Sequence, residues 1–190
     1  AKTALEASDL VEAYSFWTFS DIFEENYFPS MPFHGGFGLL TIHGIAKPTY
    51  RVFELLHRLG RERLLVDGLH DTVNAWVVRE SAAVKVFLVN HALPRHPIAK
   101  VRVQLRLAHT PRPSRVSVER IDDTHANAKH RWQRTGEPEY LDAAALEQLH
   151  EASRLTRTAC RWRWSKQRLD VEITVPSHGV ALITLEVPSR

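Results

Sequence analysis

The chain has 190 residues, of which 44% are hydrophobic and 25% charged, and its formal net charge is +3. This composition is typical of a folded globular protein and excludes collagen-like, disordered and membrane-spanning classes. The chain is too short for a complete eight-stranded α/β barrel, which needs about 250 residues. Its single cysteine, Cys160, cannot form an internal disulfide and is compatible with a reducing compartment.

Charge is distributed unevenly along the chain. Residues 1–50 carry two basic and six acidic side chains, whereas the remainder carries 23 basic and 16 acidic ones. This difference indicates two regions with different roles.

Residues 11–19 (VEAYSFWTF) are rich in aromatic and β-branched residues, which predicts a β-strand. In an extended backbone Tyr14 and Phe16 point to one side and Trp17 and Phe19 to the other, so both faces would be covered. Such a strand needs neighbouring strands, yet the sequence continues with a loop and a helix, as in one βα unit. We therefore expect this segment to belong to a larger domain.

The loop after this segment combines aromatic residues, carboxylates and glycines in two runs, residues 23–28 (FEENYF) and 33–38 (FHGGFG). Aromatic rings stack on the C–H faces of sugars, carboxylates accept hydrogen bonds from hydroxyls, and glycines allow close backbone approach. The mixture is therefore typical of a carbohydrate site. The alternative, in which the aromatic residues are core and the two glutamates are merely exposed, stays open at this point.

Residues 48–59 predict a helix, because apolar side chains recur at helical spacing from Val52 to Leu59 and Gly60 follows the last of them. From residue 64 onward the hydrophobic period changes to two, which predicts strands. These predicted strands are Leu64–Val66, Val73–Arg79, Val84–Asn90, Val101–Leu107, Arg115–Ile121, Cys160–Trp164, Leu169–Val175 and Val180–Val187. Short strands without intervening helices favour an antiparallel β-sandwich.

One polar excursion, from Asp122 to Arg154, interrupts the predicted strands. Within it Asp142 is a suitable N-cap for a short helix whose apolar face includes Leu146 and Leu149. We expect the domain boundary near residues 60–64.

The basic run at residues 154–168 contains two tryptophans and admits two interpretations. Arginine interleaved with aromatic residues is found on nucleic-acid-binding surfaces. The alternation RWRW at residues 161–164 instead predicts a strand with one apolar and one solvated face, which we favour. We therefore expect no nucleic-acid partner. We also expect no membrane partner, since the longest apolar stretch, residues 11–23, is interrupted by polar and charged residues and is shorter than the roughly 20 residues of a spanning helix.

Residues 15–25 (SFWTFSDIFEE), followed by residues 33–39 (FHGGFGL) and 45–48 (IAKP), resemble the end of the catalytic barrel in glycoside hydrolase family 39, and specifically its β-xylosidases. Residues 121–127 and 176–183 look like the carboxy-terminal β-sandwich of that family. The resemblance implies a mainly β chain, an antiparallel β-sandwich preceded by the last βα unit of a (β/α)8 TIM barrel. It predicts that residues 1–60 end the barrel and that residues 61–190 form the accessory β-sandwich domain.

The activity implied by the resemblance is that of a retaining glycosidase with two catalytic glutamates. In the family the acid/base follows the fourth barrel strand and the nucleophile ends the seventh, whereas the run beginning at Ser15 resembles the eighth. We therefore expect both catalytic residues upstream of this chain, none within it, and no hydrolysis by the chain alone.

Four residues are expected to contact the sugar on the strength of the resemblance. Trp17 would be the stacking platform and Glu25, with Glu24 as the alternative, a hydroxyl acceptor. His34 is a further candidate contact, although we favour a role for it, together with residues 35–36, in shaping the loop. Glu24 and Glu25 do not suit the catalytic pair, because adjacent residues of an extended loop project apart and retention needs carboxyl groups about 5–5.5 Å apart on one bond.

No metal or cofactor is expected, since the eleven histidines lack a metal-ligand spacing and residues 35–38 lack a phosphate-loop ending. Cys160 is interpreted as a small buried hydrophobe. The expected partner is a xylose-type sugar, bound through the parent barrel. We also expect a homo-oligomer, formed through the unpaired strand. The alternative function is a free-standing β-sandwich module that binds carbohydrate or protein.

Overall fold

The computed structural model of the protein describes residues 1–23, 30–80, 82–93 and 95–187. Apart from the first two residues, the chain forms two compact units. The first consists of residues 3–54 and 121–155, and the second of residues 55–120 and of the chain from residue 156 onward.

The helices of the described residues are α1 (Lys2–Glu6), α2 (Pro48–His57), α3 (Ala128–Arg134) and α4 (Ala143–Ala152). The helix predicted at residues 48–59 is confirmed as α2. Helix α4 begins as predicted after Asp142, whose side chain accepts a 2.7 Å hydrogen bond from the backbone N–H of Ala145. Helix α3 is not predicted by the sequence, although Asn127 caps it. Among the described residues no helix has the length and apolar character needed to cross a membrane.

The core of the first unit joins two distant parts of the sequence. Phe33 and Ile45 pack with Ala128, Trp132 and Leu149. The rings of Phe33 and Trp132 have centroids 5.4 Å apart, and the indole N–H of Trp132 donates to the carbonyl of Pro138 at 2.9 Å. The excursion after residue 121 therefore packs with the amino-terminal segment, while the division into domains at residue 60 stays a prediction.

The second unit is a β-sandwich of two sheets. Its strands are β1 (Glu62–Leu64), β2 (Val73–Glu80), β3 (Ala83–Asn90), β4 (Val101–Leu107), β5 (Arg115–Ile121), β6 (Arg157–Ala159), β7 (Trp162–Ser165), β8 (Arg168–Val175) and β9 (Val180–Glu186). One sheet has the order β1-β2-β3-β9-β5-β6 and the other β4-β8-β7. The antiparallel sandwich predicted from the sequence is confirmed, with β6 as an additional strand.

The sandwich core lies between the two sheets. Val86, Leu88 and Ile183 of the larger sheet are fully buried, as is Leu169 of the smaller one. Trp162 and Trp164 pack against this core from β7, and the indole N–H of Trp164 donates to the carbonyl of Thr110 at 3.0 Å. The alternation of arginine and tryptophan therefore produces one apolar and one solvated face, as predicted.

The strand predicted at residues 11–19 is not formed. The described structure shows no ladder there, and Tyr14, Trp17 and Phe19 are exposed by 48, 69 and 67%. Among the described residues the segment is paired only at its carboxyl end, and the parallel bridge between Ser20 and Leu40 lies just beyond it. The prediction was wrong because a strand exists only where a neighbour accepts its backbone hydrogen bonds, and composition does not provide that neighbour.

Asp122 organises the loop between β5 and α3. Its Oδ1 accepts hydrogen bonds from the backbone N–H groups of Thr124 at 2.8 Å and His125 at 3.0 Å, and lies 2.8 Å from Nδ1 of His125. Burial opposes the charge of this carboxylate, but the hydrogen bonds from His125 and Thr124 outweigh burial and lower the pKa of Asp122. The conformation of this loop therefore depends on the ionised carboxylate of Asp122.

The substitution Asp122→Asn is expected to reduce the free energy of unfolding at pH 7 by about 1 kcal/mol, because the hydrogen bonds to a charged acceptor are weakened. A lowered pKa in the folded state stabilises the protein above the unfolded-state pKa of about 4, and this stabilisation is lost as the pH falls through the folded-state pKa. Urea unfolding between pH 7 and pH 3 should show a smaller loss of stability in the variant. Asp123→Asn, which changes an exposed neighbour, should behave like the unmodified protein; equal pH profiles for all three proteins would contradict this role.

Candidate functional site

Three aromatic rings lie together on the surface of the first unit. The ring centroids of Trp17 and Phe23 are 5.9 Å apart, and those of Phe23 and Phe37 are 6.0 Å apart, both with edge-to-face geometry. Trp17 is exposed by 69% and Phe37 by 55%. Large apolar rings that are left open to solvent in one group are suited to stacking on a ligand such as a sugar ring. We call Trp17, Phe23 and Phe37 the aromatic patch.

Backbone pairing brings the two ends of the aromatic patch together. The N–H of Leu39 donates to the carbonyl of Thr18 at 3.0 Å, and the N–H of Leu40 donates to the carbonyl of Phe19 at 3.0 Å. Trp17 directly precedes Thr18, Phe37 lies two positions before Leu39, and the peptide bond between Trp17 and Thr18 is cis. The pairing therefore places side chains that are 20 positions apart in the sequence on one surface.

A buried ion pair lies at this pairing. The side chain of Asp21 is completely buried, and Nζ of Lys47 lies 2.6 Å from each of its carboxylate oxygens. The same carboxylate accepts a 2.9 Å hydrogen bond from the N–H of Gly38, and Lys47 also donates to the carbonyl of Gly36 at 2.7 Å. The pair therefore fixes the backbone on both sides of Phe37.

Two glycines allow this close approach. A Cβ at Gly38 would lie 2.2 Å from the carbonyl carbon of Ser20, and one at Gly36 would lie 2.7 Å from Oδ1 of Asp21. Neither space admits a side chain unless the backbone or the carboxylate moves. The close backbone approach expected of the glycine-rich run is thus observed at Gly36 and Gly38.

His34 lies inside the same cluster. Its side chain is only 11% exposed, and Nε2 lies 3.9 Å from Oδ2 of Asp21. No residue in the described ranges forms a hydrogen bond with Nε2. The structure thus places His34 beside the ion pair, and contact with a sugar stays a prediction for this residue. Glu24 and Glu25 fall outside the described residues, and their predicted role stays a prediction as well.

Reasoning from the sequence missed the partnership of Asp21 and Lys47. The two residues are separated by 26 positions, so no local pattern links them. The available signals are weak: Asp21 is a charged residue within an aromatic run, and Lys47 directly precedes the proline that begins α2.

The described residues offer little other reactive chemistry. Among them, no group of three or more His, Cys, Asp or Glu side chains is arranged to hold a metal ion. Burial raises the pKa of the Cys160 thiol, which packs against the sandwich core. A thiol of this kind has weak nucleophilic character at neutral pH.

Comparison with known proteins identifies the family. The family model described as glycosyl hydrolases family 39 matches residues 1–167, so the chain belongs to that family. It is 36% identical over 189 residues to a β-xylosidase of Caldicellulosiruptor saccharolyticus and 30% identical over 186 residues to a β-xylosidase of Geobacillus stearothermophilus. These matches cover 97 and 98% of this chain but only 39 and 36% of the two relatives. The chain therefore spans less than two fifths of the relatives' length.

Solved structures agree with this assignment. A monomeric β-xylosidase from Caulobacter crescentus CB15 is 25% identical, with a TM-score of 0.72, and the match covers 98% of this chain and 40% of that one. A family 39 enzyme from Xanthomonas axonopodis pv. citri has the same fold, with a TM-score of 0.76 at 23% identity, over 97% of this chain and 39% of that one. The resemblance inferred from residues 15–48 and the β-sandwich are both confirmed.

The substitution Lys47→Met is expected to reduce the free energy of unfolding by about 3 kcal/mol, because it leaves the buried carboxylate of Asp21 without its cation. Urea unfolding at pH 7 measures this loss. The double substitution Asp21→Asn/Lys47→Met should be less destabilising than Lys47→Met alone, since it removes both charges. Lys129→Met, at an exposed lysine of the same unit, is the matched control and should change stability by less than about 0.5 kcal/mol. Equal losses for Lys47→Met and Lys129→Met would contradict the role of the ion pair.

Proposed function

We propose that this chain is the carboxy-terminal part of a retaining β-xylosidase, in which it supplies one wall of the sugar site and the accessory β-sandwich. The observation that carries the proposal is the exposed aromatic patch around Trp17, in a chain whose relatives at 36 and 30% identity are β-xylosidases. A stacking platform open to solvent is suited to a pyranose ring, which presents an apolar face of C–H groups.

Each predicted site residue has a specific role in this proposal. Trp17 stacks on the sugar, while Glu25, or Glu24 in its place, accepts hydrogen bonds from sugar hydroxyls. His34 and the ion pair of Asp21 with Lys47 hold the loop that carries Phe37. Trp17 and the glutamate therefore bind and orient the substrate, the other groups position the loop, and none of them is assigned a catalytic step.

The reaction itself requires two further carboxyl groups. In a retaining glycosidase one carboxyl attacks the anomeric carbon and the other protonates the leaving oxygen, with the two about 5–5.5 Å apart. We assign both to barrel strands that lie outside this chain. The exposed apolar side chains of residues 10–22 support this assignment, because neighbouring barrel strands would cover them.

A chimera tests the proposal directly. The segment of the Caldicellulosiruptor β-xylosidase that matches this chain is replaced by residues 1–190, and hydrolysis of p-nitrophenyl β-xyloside is measured. The chimera is expected to hydrolyse the substrate. In it Trp17→Ala should raise KM about tenfold, since stacking contributes about 1.4 kcal/mol of binding free energy. Tyr140→Ala, which removes a ring that is 81% exposed, is the matched control and should leave KM unchanged.

Two controls separate the outcomes of this experiment. The purified 190-residue chain should release no nitrophenol, and appreciable release would contradict the assignment of the catalytic pair to other strands. A chimera that unfolds cooperatively on heating yet lacks activity would overturn the proposal. If in that case the chain alone bound xylo-oligosaccharides with saturable heat in calorimetry, it would be a carbohydrate-binding module.

We further propose that the isolated chain self-associates through residues 10–22. Leu10, Trp17 and Phe19 are exposed by 81, 69 and 67%, which is unusual for neighbouring large apolar side chains. A related β-xylosidase is described as monomeric, so the association is assigned to this chain in isolation.

Light scattering of the purified chain at increasing concentration should show a rising mean mass, and Leu10→Ser/Phe19→Ser should suppress the rise. The matched control is Leu65→Ser/Leu69→Ser, which removes two fully exposed leucines of the other unit and should leave the association unchanged. A monomer at all concentrations would contradict the proposal.

A further inference from the structure

The three-stranded sheet presents an alternating pattern of charges to solvent. Strands β4 and β7 lie at its edges and β8 lies between them. The edge strands contribute exposed arginines, and the central strand contributes two carboxylates together with the exposed Arg168, because every second residue faces outward. Nε of Arg168 donates to Oδ2 of Asp170 at 3.1 Å. The outward side chains that matter here are Arg102 and Arg106 of β4, Asp170 and Glu172 of β8, Arg163 of β7 and Arg161 just before it.

The strand register sets these charges in rows. Asp170 pairs with Arg106 on one side and with Arg163 on the other. Nε of Arg106 lies 3.9 Å from Oδ1 of Asp170, and Nε of Arg102 lies 3.8 Å from Oε1 of Glu172. Arginines on β4 therefore have carboxylate partners in the central strand.

The arginines at the β7 edge differ from those of β4 in their ion pairing. Within the described part of the chain, the guanidinium groups of Arg161 and Arg163 make no ion pair or hydrogen bond. Arg163 lies in β7 and Arg161 directly precedes that strand, and both are exposed. In extended backbone, residues two positions apart lie on the same face and are separated by about 7 Å. This edge therefore carries two guanidinium groups that are available to an anionic ligand.

A groove crosses this face of the sheet. It has a volume of about 820 Å³ and is lined by Gln104, Arg106, Arg161, Arg163, Asp170 and Glu172, among others. The volume falls in the range of ligand clefts in proteins. A single polymer strand lying across it would meet guanidinium groups, an amide and carboxylates together.

We propose that this face binds a polysaccharide that carries uronic acid branches, such as a glucuronic-acid-substituted xylan. The uronate carboxylate would accept hydrogen bonds from Arg161 and Arg163, because guanidinium groups match carboxylates in charge and geometry. The sugar hydroxyls would donate to Asp170 and Glu172, which accept only when ionised. The choice of a polysaccharide rests on the proposed function as a β-xylosidase.

The chemistry of the face favours this occupant over a nucleic acid. Single-stranded nucleic acids bind through aromatic rings on which the bases stack, whereas Trp162 and Trp164 face the sandwich core. A phosphate backbone carries a charge on every nucleotide and would meet the carboxylates of the central strand. A polymer with widely spaced carboxylates and many hydroxyls fits the alternating charges better.

Affinity electrophoresis of the 190-residue chain through gels that contain glucuronoxylan tests the proposal. The probe is compared with the same polymer after its carboxyl groups have been reduced to alcohols, which removes the charge and keeps the backbone. Glucuronoxylan should retard the chain, and the reduced polymer should retard it much less. Arg161→Ala/Arg163→Ala should weaken binding about tenfold or more, as expected for the loss of hydrogen bonds between charged groups.

The control variant is Arg112→Ala/Arg134→Ala, which removes the same charge from exposed positions elsewhere and should keep the retardation. Circular dichroism and thermal unfolding of each variant verify that it is folded. Equal retardation by both polymers, an equal loss in both variants, or tighter binding to single-stranded DNA would overturn the proposal. Because the assay measures binding without hydrolysis, its failure is distinguishable from failure of the chimera to act on xylosides.

Discussion

The contact between the carboxylate of Asp21 and the ammonium of Lys47 is the interaction on which the amino-terminal unit depends. It is buried, so each charge needs the other, and it also holds the backbone at Gly36 and Gly38. The aromatic patch lies beside the backbone pairing that this contact accompanies. A surface suited to sugar stacking is thus held in place by a carboxylate that is itself completely buried.

The two units differ in how far their folds can be predicted from sequence. Strands of the sandwich repeat apolar residues with a period of two, and this local signal placed β2, β4 and β8 almost to the residue. The first unit is held together by contacts between residues about 100 positions apart, such as Phe33 with Trp132. No local pattern encodes such a contact, and for the same reason the short helix α3 and the short strand β6 escaped prediction.

The candidate site likewise combines a residue that the sequence predicted with residues that only the structure brings beside it. Trp17 was singled out through a family resemblance carried by a specific aromatic run, and the structure brings Phe23 and Phe37 beside it. The segment around Trp17 was predicted as a strand, yet among the described residues it has a pairing partner only near its end. Propensity describes which backbone a residue favours, whereas strand formation depends on a neighbour that composition does not specify.

The alternation RWRW at residues 161–164 puts tryptophans and arginines on opposite faces of β7 and of the residue before it. The indole rings contribute to the interior and the guanidinium groups face solvent. Substitutions on the outer face therefore leave interior packing intact, and those on the inner face leave the outer charge intact. The charge of this face can therefore change by single replacements while the packing of the indole rings stays as it is.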